Sequence, residues 1–441
     1  LCRQDELNDR WIDSYSPLIK NENMNSQQDS ALTSETHASS MLAKRSTVFI
    51  LAITCGLAVA NVYYNQPLLA DIGRSFDISV QQVGSIPTLT QIGYAVGLLF
   101  LVPLGDKVER RGLIVKMLLL LACALVATAL SPSITWLSVS SLILGFTSIV
   151  AHLIIPFVAR MTPTAQRGKV IGTLMSGVIG SVLLARAASG LFGKMLGWQA
   201  IYWIAACLMI VLAFVIRGRL PMSKSSDKLS YQQLMQSLVH LIRQQPILRE
   251  AALIIAAIFA AFNAFWVSLV FRLEAPPYYY DSQVAGLFGL VGIAGAIATP
   301  FMGRLVDKWG ARVFVGLALA ISFCGFVIIW IAGHHLMALI LGVLILDLGM
   351  HAAYLSNQVR VYNLIPNAES RLNTVYMVTN YSGGALGSFL GTYSWATWQW
   401  NGVGAVCLSL LVLAWIVHFS GRRNVMSYID NIKPTKNEES D

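Results

Sequence analysis

Asp347, His351, Tyr354 and Gln358 stand at i, i+4, i+7 and i+11, the spacing of one face of an α-helix. The stretch that holds them, 336–359, is otherwise apolar. A carboxylate beside an imidazole, in surroundings that change between wet and dry, exchanges a proton as they change. Arg186, in the apolar stretch 170–193, is the candidate counter-charge. Two readings stay open. Asp347 carries a coupling proton that His351 tunes, or Asp347 and Arg186 form a permanent pair that holds two parts of the molecule together.

Other polar residues in apolar stretches are candidates for a solute cavity. Asn61, Tyr64 and Asn65 stand at i, i+3 and i+4 in one stretch, Asn263 and Trp266 in another, and His152 in a third. Gln91 and Asn380 are weaker candidates. Aromatic faces with a few amides suit a moderately apolar or sugar-like solute. Each of these residues also has a plain packing reading. One acid, one arginine and few other charges argue against a multiply charged solute. His334 and His335 lack a third ligand, so no metal is expected. Five of the six cysteines sit in apolar runs and none forms a Cys-x-x-Cys pair, which reads as buried hydrophobes. No phosphate loop, nucleophile elbow or zinc motif occurs, so the expectation is no enzyme and no cofactor.

The elements that position these residues follow from composition. Charged residues make up only 12% of the 441-residue chain, about half of what a water-soluble surface needs. Twelve stretches approach the roughly 20 apolar residues that cross a bilayer: 47–69, 82–104, 113–130, 134–158, 170–193, 198–217, 250–273, 283–304, 312–332, 336–359, 372–393 and 400–420. With both ends in the cytoplasm, the inner connections and tails hold 26 of the 31 lysines and arginines. The outer connections hold only Arg74, Lys194 and Arg272. That bias is the positive-inside pattern, and it accounts for the net charge of +9 without nucleic acid. A charge at the bilayer centre costs at least about 2.5–3.5 kcal/mol, so Asp347, near mid-depth, and Arg186, about 10 Å from the outer end of its stretch, need a reason to be there.

The expected fold is therefore an all-α membrane protein with two pseudo-symmetric six-helix bundles, 47–217 and 250–420. A polar tail, 1–46, precedes them and a second tail, 421–441, follows. Residues 1–46 carry no apolar run, so no cleavable signal peptide is expected, and Met41 reads as a natural start. The central loop, 218–249, carries Ser230-x-x-Gln233 before apolar residues at helical spacing, the signature of a capped amphipathic helix.

Small residues four apart recur once in each block of three stretches: Gly93 and Gly97, then Gly172, Ser176 and Gly180, then Gly292 and Ala296 within a denser glycine run, then Gly383, Gly387 and Gly391. Such faces let helices approach closely. A second repeat follows stretches 2 and 8. One copy holds Asp106, Lys107, Arg110 and Arg111, the other Gly303, Asp307, Lys308, Gly310 and Arg312. An Asp at the membrane boundary can cap a helix and pair with adjacent basic residues, closing a gate on the inner side.

These turns resemble the loop signature of the major facilitator superfamily, Gly-x-x-x-Asp-[Arg/Lys]-x-Gly-x-Arg. The copy at 303–312 follows it; at 102–111, Val102 and Glu109 replace the two glycines. Val62-Tyr63-Tyr64-Asn65-Gln66-Pro67, Gly286-Leu287-Phe288-Gly289-Leu290 and Arg371-Leu372-Asn373-Thr374-Val375-Tyr376-Met377 are similar to the bacterial branch of arabinose-efflux permeases and drug–proton antiporters. The resemblance implies that stretches 1, 4, 7 and 10 line a cavity and that 2, 5, 8 and 11 form the interface between halves. It implies a monomer in the bacterial inner membrane that exports a small organic solute against proton influx, by rocking around a midplane site. The superfamily's antiporter signature, a Gly-Pro pair in stretch 5, is absent. A proton symporter, an inactive relic and a membrane sensor are the alternatives.

Overall fold

The computed structural model describes residues 45–105, 107–221, 230–365 and 368–432. Most of the polar tail 1–46, Asp106 and part of the central loop lie outside them. All regular structure among the described residues is helical, as a lipid solvent demands: each helix satisfies its own backbone. The N-terminal helices are α1 (Arg45–Ala60), a 3-10 turn (Gln66–Leu68), α2 (Leu69–Phe76), α3 (Val80–Val83), α4 (Ser85–Gly105), α5 (Arg110–Ala129), α6 (Ile134–Thr147), α7 (Val150–Met161), α8 (Thr164–Leu196) and α9 (Gln199–Arg219). Then come α10 (Tyr231–Gln244), α11 (Pro246–Glu274), α12 (Ser282–Val291), α13 (Ile293–Trp309), α14 (Ala311–Ala332), α15 (Leu336–Tyr362) and α16 (Glu369–Ile432). Nine helical segments among the described residues are long and apolar enough to cross a membrane. Within α16 the backbone leaves helical geometry at Gln399 (φ 54°), which divides it into two arms.

Local sequence explains the helix starts. The capping box of α10 forms: Ser230 and Gln233 each accept from the other's backbone N–H. Its Leu234, Leu238 and Leu241 are buried, and the Tyr231 hydroxyl donates to the Phe100 carbonyl at 3.1 Å. Glu109 caps α5 by accepting from Arg111 N at 3.0 Å and Gly112 N at 2.6 Å. That role gives a reason for an acid where the loop signature has glycine. Asp281 caps α12 in the same way. Gly310, between α13 and α14, has φ +83°, a conformation that an L side chain resists.

Three of the four rows of small residues pack helices closely, mostly against partners other than those expected, whereas Gly172 and Gly180 of the fourth have nothing within 4 Å. Gly383, Gly387 and Gly391 of α16 lie on the backbone of Ala256, Ala260 and Ala264 of α11. Gly177 of α8 lies on Ala52 of α1, the equivalent pairing in the first half of the chain. Gly93 and Gly97 of α4 meet Leu142 and Phe146 of α6, and Gly295 of α13 meets Asp347 and His351 of α15. Rows that read as sliding faces between halves thus mostly bind helices within one half. Contacts between the halves come from stretches 5 and 8 and from stretches 2 and 11, where Gly84 meets Thr392 and Gly384 meets Gln91. A methyl group at Gly190 of α8 would collide with the Ser282 carbonyl, and one at Gly286 of α12 with the Arg186 carbonyl.

That contact closes one end of the molecule. Beside it Lys194 pairs with Asp281 at 2.8 Å, and Arg74 bridges Asp71 and Glu274, its bond to Glu274 measuring 2.8 Å. Towards the other end α8 parts from α13, which it barely touches. There a methyl group at Gly168, Gly172 or Gly180 would meet nothing within 4 Å. The interface is a wedge, shut at the Arg74 end and splayed at the other.

Candidate solute and proton site

At the shut end of the wedge, Arg186 of α8 is 2% exposed. A guanidinium only donates hydrogen bonds, and this fixes the orientation of its neighbours. Arg186 Nε donates to Gln66 Oε1 at 2.8 Å, so the Gln66 amide nitrogen must turn away. It donates to Asn263 Oδ1 at 3.4 Å, and Gln91 Nε2 donates to the same oxygen at 3.2 Å. Asn263 Nδ2 is held by the Phe259 carbonyl at 3.0 Å. Three amides from two halves of the chain thus form one polar chain that ends on Arg186. The guanidinium carbon lies 4.1 Å from the Trp266 ring centre, 5.0 Å from Tyr63 and 6.0 Å from Phe262, close enough for cation–π attraction. Gln66, Pro67, Arg186, Trp266 and Leu269 line a narrow cleft here. In this cleft two buried donors, Arg186 Nη2 and Trp266 Nε1, have no partner among the described residues.

Asp347 of α15, also 2% exposed, lies across the glycines of stretch 8 from Arg186. A methyl group at Gly289 would come within 2.8 Å of Arg186 Cβ, and one at Gly292 within 2.5 Å of Asp347 Oδ2. A methyl group at either position would force one of the charged side chains or its neighbours to shift. Each feels the other's charge, yet no ion pair joins them among the described residues. His351 turns Nδ1 back to the Asp347 carbonyl at 2.9 Å. Tyr354 and Gln358 continue the row, the former donating to Met377 Sδ at 3.6 Å and the latter to the Tyr362 hydroxyl at 3.1 Å. From Asp347 to Gln358 is about 16 Å along a helix axis, towards the splayed end.

The three candidates of stretch 1 lie elsewhere. Asn61 donates to the Leu57 carbonyl at 2.7 Å and to Met209 Sδ at 3.8 Å; Tyr64 is buried beside Tyr202. Asn65 donates to Thr90 Oγ1 at 3.3 Å. Tyr63 and Gln66 meet Arg186 instead, and the cause is local. Helix α1 ends at Ala60, so helical spacing no longer says which residues share a face. His152 stands 5.9 Å, ring to ring, from Tyr94, which lies 4.1 Å from Tyr381, itself 5.5 Å from Phe259. This aromatic chain crosses from α7 to α11.

The loops at the splayed end are tied to helices of their own half. Arg110 Nε donates to the Gly105 carbonyl at 2.9 Å, and Arg111 reaches the last carbonyls of α9, Arg217 and Leu220, at 3.4 Å. The Lys107 backbone N–H bonds the Leu104 carbonyl at 2.9 Å. Gly303 is half-buried and Lys308 exposed, while the Asp307 side chain, like Asp106, lies outside the described residues. Arg312 reaches Glu250, an acid that sequence reading did not single out. Glu250 is buried, with Arg360 at 3.0 Å, Arg312 at 3.4 Å and His418 at 3.8 Å.

A wedge of long apolar helices around a buried charged site is the architecture of a membrane transporter. The chain belongs to the Major Facilitator Superfamily, whose sequence profile matches residues 49–392 and 275–434. It is a multi-pass membrane protein that transports small solutes, and its work is transport rather than catalysis. Among its relatives is the uncharacterized transporter YgaY of Escherichia coli O157:H7, 39% identical over 371 residues, which are 83% of this chain and 94% of that one. A Helicobacter pylori (strain ATCC 700392 / 26695) protein named "Probable sugar efflux transporter" is 22% identical over 376 residues, 84% of this chain and 94% of its own. In fold the chain is similar to a bacterial homolog of the human lysosomal transporter Spinster in an inward-facing, unoccupied conformation. The TM-score is 0.69 at 16% identity, over 87% of this chain and 97% of that one.

Proposed function

We propose that this protein is a proton-coupled secondary transporter that exports a small organic solute by alternating access. The observation that carries the reading is the pair Arg186 and Asp347, both buried, set on either side of one row of glycines where a wedge narrows. Charges so placed cost insertion energy and are kept for function. As the wedge opens towards one side and then the other, Asp347 meets water on alternate sides and takes up or releases its proton. Rupture of Lys194–Asp281 and Arg74–Glu274 would open the shut end.

In this reading nine apolar segments, the second arm of α16 beyond Gln399, and the shorter helices Ser46–Ala60 and Ser282–Val291 supply twelve spans. They form bundles 47–217 and 250–420, with both ends of the chain on the cytoplasmic side of a bacterial inner membrane. The lysine and arginine bias then puts the splayed end inside. Export draws support from the relatives named for sugar efflux. Import by proton symport is a second reading, supported by the charge that Arg186 and Asp347 each feel from the other. An anion on Arg186 would deprive Asp347 of its counter-charge and so let proton and solute bind together.

Purified protein in vesicles of known orientation tests the proposal. A solute gradient should drive a proton flux of opposite direction for export and of the same direction for symport. A solute that exchanges across the vesicles without any proton movement would sink both.

A further inference from the structure

The donors left over beside Arg186 point to the chemistry of the cargo. The inference rests on the reading above, that the cleft is a solute site, and concerns what is carried rather than its direction. Arg186 makes one bond through Nε and stacks on three aromatic rings, but its Nη2 is buried without a protein partner. Trp266 is 3% exposed, and its Nε1 is buried without a partner too. Both side chains line the same cleft. The neighbouring amides offer no relief, because the chain of hydrogen bonds from Gln91 through Asn263 to Gln66 is already oriented by the guanidinium. An unsatisfied buried donor costs about 1–3 kcal/mol, more when charged. Two donors, one of them cationic, with no carboxylate in direct contact among the described residues, form a receptor for an anionic acceptor.

We propose that the solute is an organic monoacid whose carboxylate accepts from Arg186 Nη2 and Trp266 Nε1. Its apolar or sugar-like body lies against Pro67 and Leu269, which line the cleft. A carboxylate suits the site better than a neutral carbonyl because it completes the charge of Arg186 as well as its hydrogen bonds. One guanidinium balances one negative charge, so a dianion is excluded by the same count.

The test uses the full-length protein in detergent and in proteoliposomes. The probes are matched sets at millimolar concentration: benzoate, phenylacetate, hexanoate and gluconate against benzamide, phenylacetamide, hexanamide and glucose. Thermal stabilisation reads binding and counterflow reads transport. The expectation is that at least one acid stabilises the protein and its neutral partner does not. Arg186→Gln should weaken that acid by about tenfold or more, and Trp266→Phe, which keeps a ring and removes the donor, by about two- to tenfold. Trp266→Phe keeps the test alive if the arginine variant fails to fold. Equal effects of acids and neutral partners, acid binding untouched in Trp266→Phe, or no stabilisation by any acid would overturn the proposal. Counterflow separates the two levels. Neutral probes that exchange while acids do not bind leave a transporter with a different cargo. Acids that bind but never exchange support the anion site and contradict transport.

Discussion

Gln66 presents its carbonyl to Arg186 at 2.8 Å and its amide nitrogen to Asn263 at 3.4 Å, so a residue of the broken first span orders polar groups on α8 and α11 at once. Gln66→Leu strands Arg186 Nε and removes one of the two donors to Asn263 Oδ1. The expected loss is about 1–3 kcal/mol, the cost of an unsatisfied buried donor, read as a lower thermal midpoint in detergent. Gln66→Glu keeps the acceptor and adds a charge for Arg186. Because it also sets a second acceptor against Asn263 Oδ1, it should recover only part of the lost stability while weakening any anionic solute. A stable Gln66→Leu protein would mean that Arg186 has another partner.

The glycines of stretch 8 are expected to be intolerant, unlike a glycine of the splayed part of α8. Gly292→Ala drives a methyl group against Asp347 Oδ2, and Gly289→Ala drives one against Arg186 Cβ. Either should abolish proton-coupled transport, whereas Gly172→Ala on the splayed part of α8, where nothing lies within 4 Å, should leave the fold's thermal midpoint within about 0.5 kcal/mol equivalent. Transport assays beside melting curves check the contrast.

At the shut end, Lys194 holds the Asp281 carboxyl below the ordinary value of 3.8, chiefly through their hydrogen bond, with the backbone N–H groups of α12 adding to it. A depressed acid stabilises the state that contains it above the ordinary value, and that help is lost as pH falls through the lower one. The latch should therefore act unchanged from about pH 5 to about pH 8 and fail only in strong acid. Its side chains are 52% and 42% exposed, so Asp281→Asn should shift the open–shut balance by no more than about 1 kcal/mol, roughly fivefold. Spin-label distances across this end, taken in wild type and Asp281→Asn over that pH range, check both statements.

Glu250 holds Arg360, Arg312 and His418 around one buried carboxylate. Glu250→Ala leaves two guanidinium groups uncompensated and should destabilise the C-terminal helices by about 3–5 kcal/mol. Glu250→Asp should recover part of that. Chemical unfolding in detergent measures the difference.

What could be read from sequence depended on whether a helix was continuous. The row Asp347, His351, Tyr354 and Gln358 lies on one unbroken helix, Leu336–Tyr362, so its spacing translated directly into one face. The row Asn61, Tyr64 and Asn65 starts where α1 has already ended, so the same spacing meant nothing there, and Tyr63 and Gln66 took the place at Arg186. Glu250 follows Arg249 at the edge of an apolar stretch and reads as an ordinary boundary charge. Its three partners come from the start of α14, the last turn of α15 and the second arm of α16, and no local pattern joins them. Three of the four small-residue rows were legible as close contacts, the row with Gly172 and Gly180 was not, and a row carries no label for its partner. Ala256, Ala260 and Ala264 give α11 a matching face, and these were visible only once the helices were placed.

The central claim is that Asp347 carries the coupling proton. The direct measurement is transport by Asp347→Asn in proteoliposomes, with and without an imposed pH gradient. The account predicts that solute exchange at equal pH persists while gradient-driven accumulation disappears. Accumulation that still follows the pH gradient in Asp347→Asn would contradict it and leave Asp347 as a structural charge.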